Sequence, residues 1–253
     1  TSTSASGSVG TALTGTYGVL TLNADGSYSY KSTANAISAD AVDTFTYTIK
    51  DGDGDLSTTT LKVNVANQTV TGGVGSESDT SVLEAALSFG SNPTSNEEVA
   101  TGTLTGMGGA GGYTFTAGTF TGAYGTLVIN TDGSYTYTLT SAPDVNPGNN
   151  GNNVQASESF SFQVTDTDGN SGNGTLVIDI VDDVPTAKAD VASVDEGSTV
   201  TGNVVTGVGI GSMADIFGAD GANASAVVGV KTGDETSTSA SGSVGTALTG
   251  TYG

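Results

Sequence analysis

Large apolar residues recur at every second position in short runs along the chain. They are Leu20 and Leu22, then Tyr28 and Tyr30, then Phe45, Tyr47 and Ile49, then Leu61, Val63 and Val65. The same rows return as Leu127 and Ile129; Tyr135, Tyr137 and Leu139; Phe160, Phe162 and Val164; and Leu176, Ile178 and Ile180. A period of two puts each row on one face of a strand, and the intervening Thr and Ser suit a solvated opposite face. Asp25-Gly26 and Asp132-Gly133 predict tight hairpins between these rows, and Gly52, Gly54 and Gly169 mark the next ones. Only Ser81–Leu87 (SVLEAAL) is compatible with a helical turn, and at that length a strand followed by a bend serves equally well. Short strands joined by turns, with no helices between them, predict an all-β chain of antiparallel sandwiches.

The rows also repeat. TSTSASGSVGTALTGTYG occupies residues 1–18 and returns without a mismatch at 236–253. An identity of that length marks a tandem array with a period of 235 residues, of which the chain is a window. Inside the period, GTYGVLTLNADGSYSY (15–30) matches GAYGTLVINTDGSYTY (122–137). Likewise DTFTYTIKDGDGDLSTTTLKVNV (43–65) matches ESFSFQVTDTDGNSGNGTLVIDI (158–180), and SAPDVNPGNNGNN (141–153) reads as a loop insertion. The period therefore holds two related units. The stretch VDDVPTAKAD (181–190) ends a strand with two acids and a proline that cannot continue a ladder, which places a boundary near Asp183. The matching boundary lies near Ala66 and Asn67. On this phase, residues 1–66 are the C-terminal part of one repeat, 67–183 a complete repeat, and 184–253 the N-terminal part of the next. Residues 184–235 joined to 1–66 would make a unit of 118 residues, against 117 for the middle one.

Composition narrows the function. The chain carries 26 acidic residues against 5 lysines, no Arg or His, and a net charge of −21. Nothing is available to neutralise phosphates, so nucleic-acid binding is disfavoured, as is adhesion to an anionic membrane by charge. The balance favours a cationic partner, the simplest being a hard divalent metal, although acids also keep an extended protein soluble. Cysteine is absent, which excludes disulfides and, with His also absent, Cys- or His-ligated zinc and iron. Common nucleophile–base pairs are missing as well, so the expectation is that the chain is not an enzyme. Paired carboxylates could hydrolyse glycosides, but every acid here lies in a turn or linker of a repeating pattern. No apolar run reaches membrane-spanning length, and no membrane insertion is expected in this window.

At this point the residues resemble a known class. The combination of GTYG-x-L-x-L-N-x-DGSY-x-Y, a D-x-F-x-Y-x-x-x-DGDG strand pair and a DD-x-P-TA-x-x-D linker resembles the VCBS/cadherin-like and Ig-like repeats of giant bacterial adhesins, including RTX-type surface adhesins exported by type I secretion. The resemblance covers nearly the whole chain. It implies tandem Ig-like/cadherin-like β-sandwich repeats in series, calcium ions at or near the junctions, a place on the bacterial cell surface, and roles in attachment and biofilm formation. Two departures are plain. The glycine-rich RTX nonapeptides are absent, and no inserted ligand-binding domain interrupts the repeats.

Two groups of oxygen ligands stand out as calcium candidates. Asp51, Asp53 and Asp55 alternate in DGDGD, and Asp166, Asp168 and Asn170 take the matching places in DTDGN. Alternating oxygens on a glycine-containing turn can wrap a hard cation, as the first ligands of an EF-hand do. The EF-hand itself fails, since its twelfth position would be Lys62 or Val177; a solvated hairpin would need the same residues. The second group is the linker, with Asp182, Asp183, Asp190, Asp195 and Glu196. Glu77, Asp79 and Glu84 precede the first apolar rows of the middle unit, where SVLEA parallels SVDEG. Carboxylates gathered at a junction repel unless a cation sits among them, and a cation there would stiffen the hinge. Asp43 and Glu158 are also matched, each just before a Phe-rich strand.

The expected function is a structural extender, with rigid modules holding a distal binding region away from the cell. Its partners would be neighbouring repeats of the same array. The alternative is a module that itself binds glycans or associates homophilically, which would call for an exposed aromatic patch. Tyr28, Tyr30, Tyr135 and Tyr137 alternate as core residues do. Each partial repeat should present a half-core: the Phe45, Tyr47, Ile49, Leu61, Val63 and Val65 rows on one side, and Val200, Val204, Val205, Val227, Val228 and Val230 on the other. Head-to-tail association between neighbouring chains would cover both.

Overall fold

The structure, a computed structural model, describes residues 8–143, 153–209, 211, 213–233 and 244–250. Both copies of the 18-residue repeat, and most of the 141–153 insertion, lie in part outside the described residues. The chain is all-β, and its described secondary structure is strands in several largely antiparallel sheets plus one 3-10 turn.

Five strands come first: β1 (Ala12–Thr14), β2 (Gly18–Leu22), β3 (Tyr28–Ser32), β4 (Ala41–Lys50) and β5 (Leu56–Val65). They form a three-stranded sheet β1-β2-β3 and a separate hairpin β4-β5, all antiparallel. The second set is β6 (Val70–Val74), β7 (Ser81–Leu83), a 3-10 turn at Glu84–Ala86, β8 (Val99–Gly108), β9 (Thr114–Phe115), β10 (Gly118–Thr121), β11 (Gly125–Ile129), β12 (Ser134–Leu139), β13 (Val154–Thr165) and β14 (Ser171–Val181). Here one sheet runs β10-β11-β12-β8-β6 and the other β7-β14-β13-β9. The segment Ser81–Leu87 is thus strand first and 3-10 turn second. One pairing departs from the antiparallel expectation: β7 runs parallel to β14, in the register Ser81↔Asp179 to Leu83↔Val181. A tight turn cannot join parallel neighbours, and here most of the unit separates them.

The inward rows of both sheets fill one core. Leu127, Ile129, Tyr137, Leu176, Ile178 and Ile180 are fully or almost fully buried, and Phe160 meets Tyr137 across the sandwich at 5.9 Å between ring centroids. Both hairpin turns are built alike. Gly26 and Gly133 take φ of +88° and +87°, and Asp25 and Asp132 accept from the Ser27 and Ser134 amides and hydroxyls.

Matching by sequence puts β1-β2-β3 in the place of β10-β11-β12, and β4-β5 in the place of β13-β14. Among the described residues the first set has no counterpart of β6 to β9, and its faces are barer. Tyr30 and Phe45 reproduce the ring contact at 6.0 Å, and Leu20 and Phe45 are buried. Tyr47, Leu61, Val63 and Val65 are only half-buried, and Ile49 is 61% exposed. Tyr28, expected in a core, is 55% exposed where its counterpart Tyr135 is 2%. The reason is the absent cover, not the alternation. The described residues of 184–233 form no strand, only isolated bridges such as Thr186↔Ile216 and Asn203↔Val208, and Val200, Val204, Val227, Val228 and Val230 are exposed. In the middle unit β8 pairs with β12 and β7 with β14. No such ladder forms among the described residues of 184–233.

Candidate metal centre

The matched acids Asp43 and Glu158 are structural locks. Asp43 accepts from the Thr16 and Tyr17 amides at 2.9 and 3.0 Å and from the Tyr30 hydroxyl at 2.9 Å. Glu158 accepts from the Ala123 and Tyr124 amides and the Tyr137 hydroxyl. This explains the recurring G-x-Y-G: a Cβ on Gly15 or Gly122 would collide with the carboxylate, and one on Gly18 or Gly125 with the tyrosine hydroxyl. Burial raises the Tyr30 hydroxyl first, and the adjacent Asp43 charge adds to it, so its pKa is pushed up to about 12. Burial pushes Asp43 upward too, but the three donors outweigh it and hold the carboxyl below its ordinary value.

The hairpin acids fall into two patterns. Asp51, Asp53 and Asp55 bring carboxylate oxygens within 4.8 Å of one another, all exposed. Asp51 already accepts from the Gly54 and Asp55 amides. The matching Asp166 is buried and draws four donors: the Ala110, Asp168 and Asn170 amides at 2.8–3.0 Å and the Asn170 side chain at 3.2 Å. Asp168 is exposed and Asn170 half-buried. Hydrogen bonding around Asp166, led by the Ala110 amide from a separate loop and completed within the turn, accounts for the local geometry and keeps its carboxyl below the ordinary range.

The linker acids are brought together differently. Strand β7 lies beside the end of β14 with Leu83 opposite Val181. The next residues on each strand, Glu84 and Asp182, therefore emerge side by side. A third acid arrives from residue 220. Gly218, at φ +74°, packs against the Asp183 carbonyl where a Cβ has no room, and Ala219 packs against the core. Oxygens of Glu84, Asp182 and Asp220 then lie within 4.8 Å of one another, about the diameter of a calcium coordination sphere. Glu84 is fully buried, and neither of its carboxylate oxygens has a hydrogen-bond partner. An unpartnered buried carboxylate is costly unless something satisfies it. Burial raises Glu84 most, followed by the charges of Asp220 and Asp182; the Asp183 backbone N–H, close to the carboxylate but outside good hydrogen-bond geometry, offsets part of this, and the Asp183 charge adds a smaller push, leaving the carboxyl at about 8. The donor set is all oxygen and hard, and it fits Ca²⁺ in chemistry and spacing.

The other linker residues take other places. Asp183 is buried and accepts from the Ser91 amide, at 2.8 Å, and from the Ser91 hydroxyl. Asp190 is half-buried with one unpartnered oxygen, and Asp195 and Glu196 are exposed. Of the sequence-level candidates, Asp51, Asp53 and Asp55 come together at the exposed hairpin, and Glu84 and Asp182 at the buried linker site. Asp220 was not foreseen, because its loop (FGADGAN) carries no spacing signal and only the fold brings it to Asp182. Comparison with known proteins gives one family match and no curated relative. Residues 1–67, about a quarter of the chain, match the model of the bacterial cadherin-like domain.

Proposed function

We propose that this chain is a run of extender repeats from a calcium-stabilised bacterial surface adhesin or extracellular fibre of the RTX/VCBS type, supporting attachment and biofilm formation. The observation that carries this reading is the Glu84–Asp182–Asp220 centre, whose ligands come from both sides of the boundary near Asp183. A Ca²⁺ ion there would supply positive charge to three mutually repelling carboxylates and tie the two sides together. Residues 67–183 are read as one complete repeat, flanked by the C-terminal part of one unit and the N-terminal part of another. The half-buried rows of β4 and β5 and the exposed valines of 184–233 support that phase, and head-to-tail pairing of chains would cover both. The cadherin-like match over residues 1–67 supports the class and an extracellular place. Extension is favoured over glycan binding because the exposed aromatic rings among the described residues, Tyr28 and Phe89, belong to different units and form no platform.

Trypsin tests the reading directly. Lys188 lies five residues beyond Asp183, and residues 67–183 contain no Lys or Arg. Cleavage after Lys188 should be slow in millimolar calcium and accelerate about tenfold or more in chelator, as local opening becomes easier. Equal cleavage rates in the two buffers would contradict a junction ion.

A further inference from the structure

We infer that the two kinds of junction in the array differ: the junction after a second-kind repeat is held by metal, and the junction after a first-kind repeat is held by an asparagine clamp that needs none. The metal half of this rests on the calcium reading above; the clamp half stands on hydrogen bonds alone.

The register that equates β14 with β5 sets Asn67 and Gln68 where the other junction has Asp182 and Asp183. The third ligand is lost as well. Gly108 and Gly218 share a positive φ, of +83° and +74°, and both pack against a backbone carbonyl just past the preceding strand, that of Thr69 or of Asp183. Gly111 and Gly221 also match, at +77° and +72° in open space. Asp220 therefore corresponds to Ala110. Even with a Glu196-type carboxylate supplied by a complete first-kind repeat, one acid stands where the other junction has three. Asn67 instead turns back on its own side, donating from its amide N–H to Asp40 at 2.8 Å and from its side chain to the Ser38 carbonyl at 3.3 Å.

What spans the first junction is Asn35. It sits in the left-handed region at φ +56°, which asparagine tolerates better than most residues. Its Nδ2 donates to the Gly169 carbonyl at 2.8 Å, and its Oδ1 accepts from the Ser171 amide at 2.9 Å. Its own amide donates to Asn170 Oδ1 at 3.4 Å. The side-chain amide thus pairs with the hairpin as a peptide group of a neighbouring strand would. Asp166 braces that hairpin with three donors from the hairpin itself and one from Ala110, so the residue that replaces the metal ligand also supports the clamp's target.

Because the chain has no cysteine, spin labels can be placed singly and cleanly. Double electron–electron resonance on the full chain would use the exposed pairs Thr60→Cys with Gln163→Cys across the first junction, and Gln163→Cys with Ser193→Cys across the second. Chelator should abolish the narrow distance peak of the second pair and leave that of the first unchanged. Asn35→Ala in calcium should do the reverse. Equal broadening of both pairs by chelator would overturn the alternation. If neither pair responds to chelator, the metal reading fails, and with it the alternation. If Asn35→Ala leaves the first peak narrow, the clamp fails whatever calcium does. Asn35→Asp, which keeps the acceptor but loses the Nδ2 donor, should fall between wild type and Asn35→Ala.

Discussion

Glu84→Gln is expected to move stability in opposite directions with and without calcium. In chelator the variant should melt higher than wild type, because it removes a buried acid that repels Asp182 and Asp220. A carboxyl held near 8 when folded binds its proton more tightly than in the unfolded chain. Its contribution is therefore fully present below its ordinary value of 4.5 and is lost as pH rises through 8, so calcium-free wild type should weaken over that window, by about 2 kcal/mol after protein relaxation. Glu84→Gln should be flat there. In saturating calcium the order reverses, since a ligand present at about a hundredfold excess over its Kd adds roughly 2.7 kcal/mol to wild type, and the variant has lost a charged ligand. Calcium displaces a proton from the same group, so wild-type affinity should rise by up to about tenfold per pH unit below 8 and level off above it. Thermal melts of both proteins at pH 5 and pH 8, each with chelator and with calcium, give all four comparisons. A variant that melts like wild type in every condition would remove Glu84 from the centre.

Glu158→Ala should destabilise the middle repeat by about 3–5 kcal/mol, which is comparable to the whole stability of many small domains. The cost has a stated origin: the Ala123 and Tyr124 amides and the Tyr137 hydroxyl all donate to this one buried carboxylate. Removing it leaves three donors without a partner. Tyr137→Phe deletes one donor only and keeps the ring against Phe160, so it should cost about 1–2 kcal/mol. Urea denaturation of the full chain orders the two variants. If they cost the same, the carboxylate is not the organising group of the G-x-Y-G loop.

The strands were legible because their period is short and local. Phe160, Phe162 and Val164 declare one face without reference to the rest of the chain, and Asp132-Gly133 declares its turn. What escaped the sequence depends on contacts between distant segments. The parallel β7–β14 pairing sets Glu84 beside Asp182 across almost a hundred residues, and no spacing rule links them. Asp220 reaches the same point only because Gly218 leaves room for the Asp183 carbonyl. Conversely, DTDGN has the residues of a cation-wrapping turn, but Asp166 is claimed by amides, one of them from Ala110 far away in sequence. Composition can propose oxygen ligands; whether an oxygen is already spoken for is a tertiary fact. The exposure of Tyr28 carries the same lesson in reverse, since alternation states which face is apolar but not whether anything covers it.

Small-angle X-ray scattering of the full chain, in chelator and then in millimolar calcium, is the most direct test of a cation-stiffened extender. With calcium the account predicts a narrower ensemble with a better-defined maximum dimension, and with chelator a broader one, the difference vanishing in Asp182→Asn. Superimposable wild-type profiles in the two buffers would contradict it.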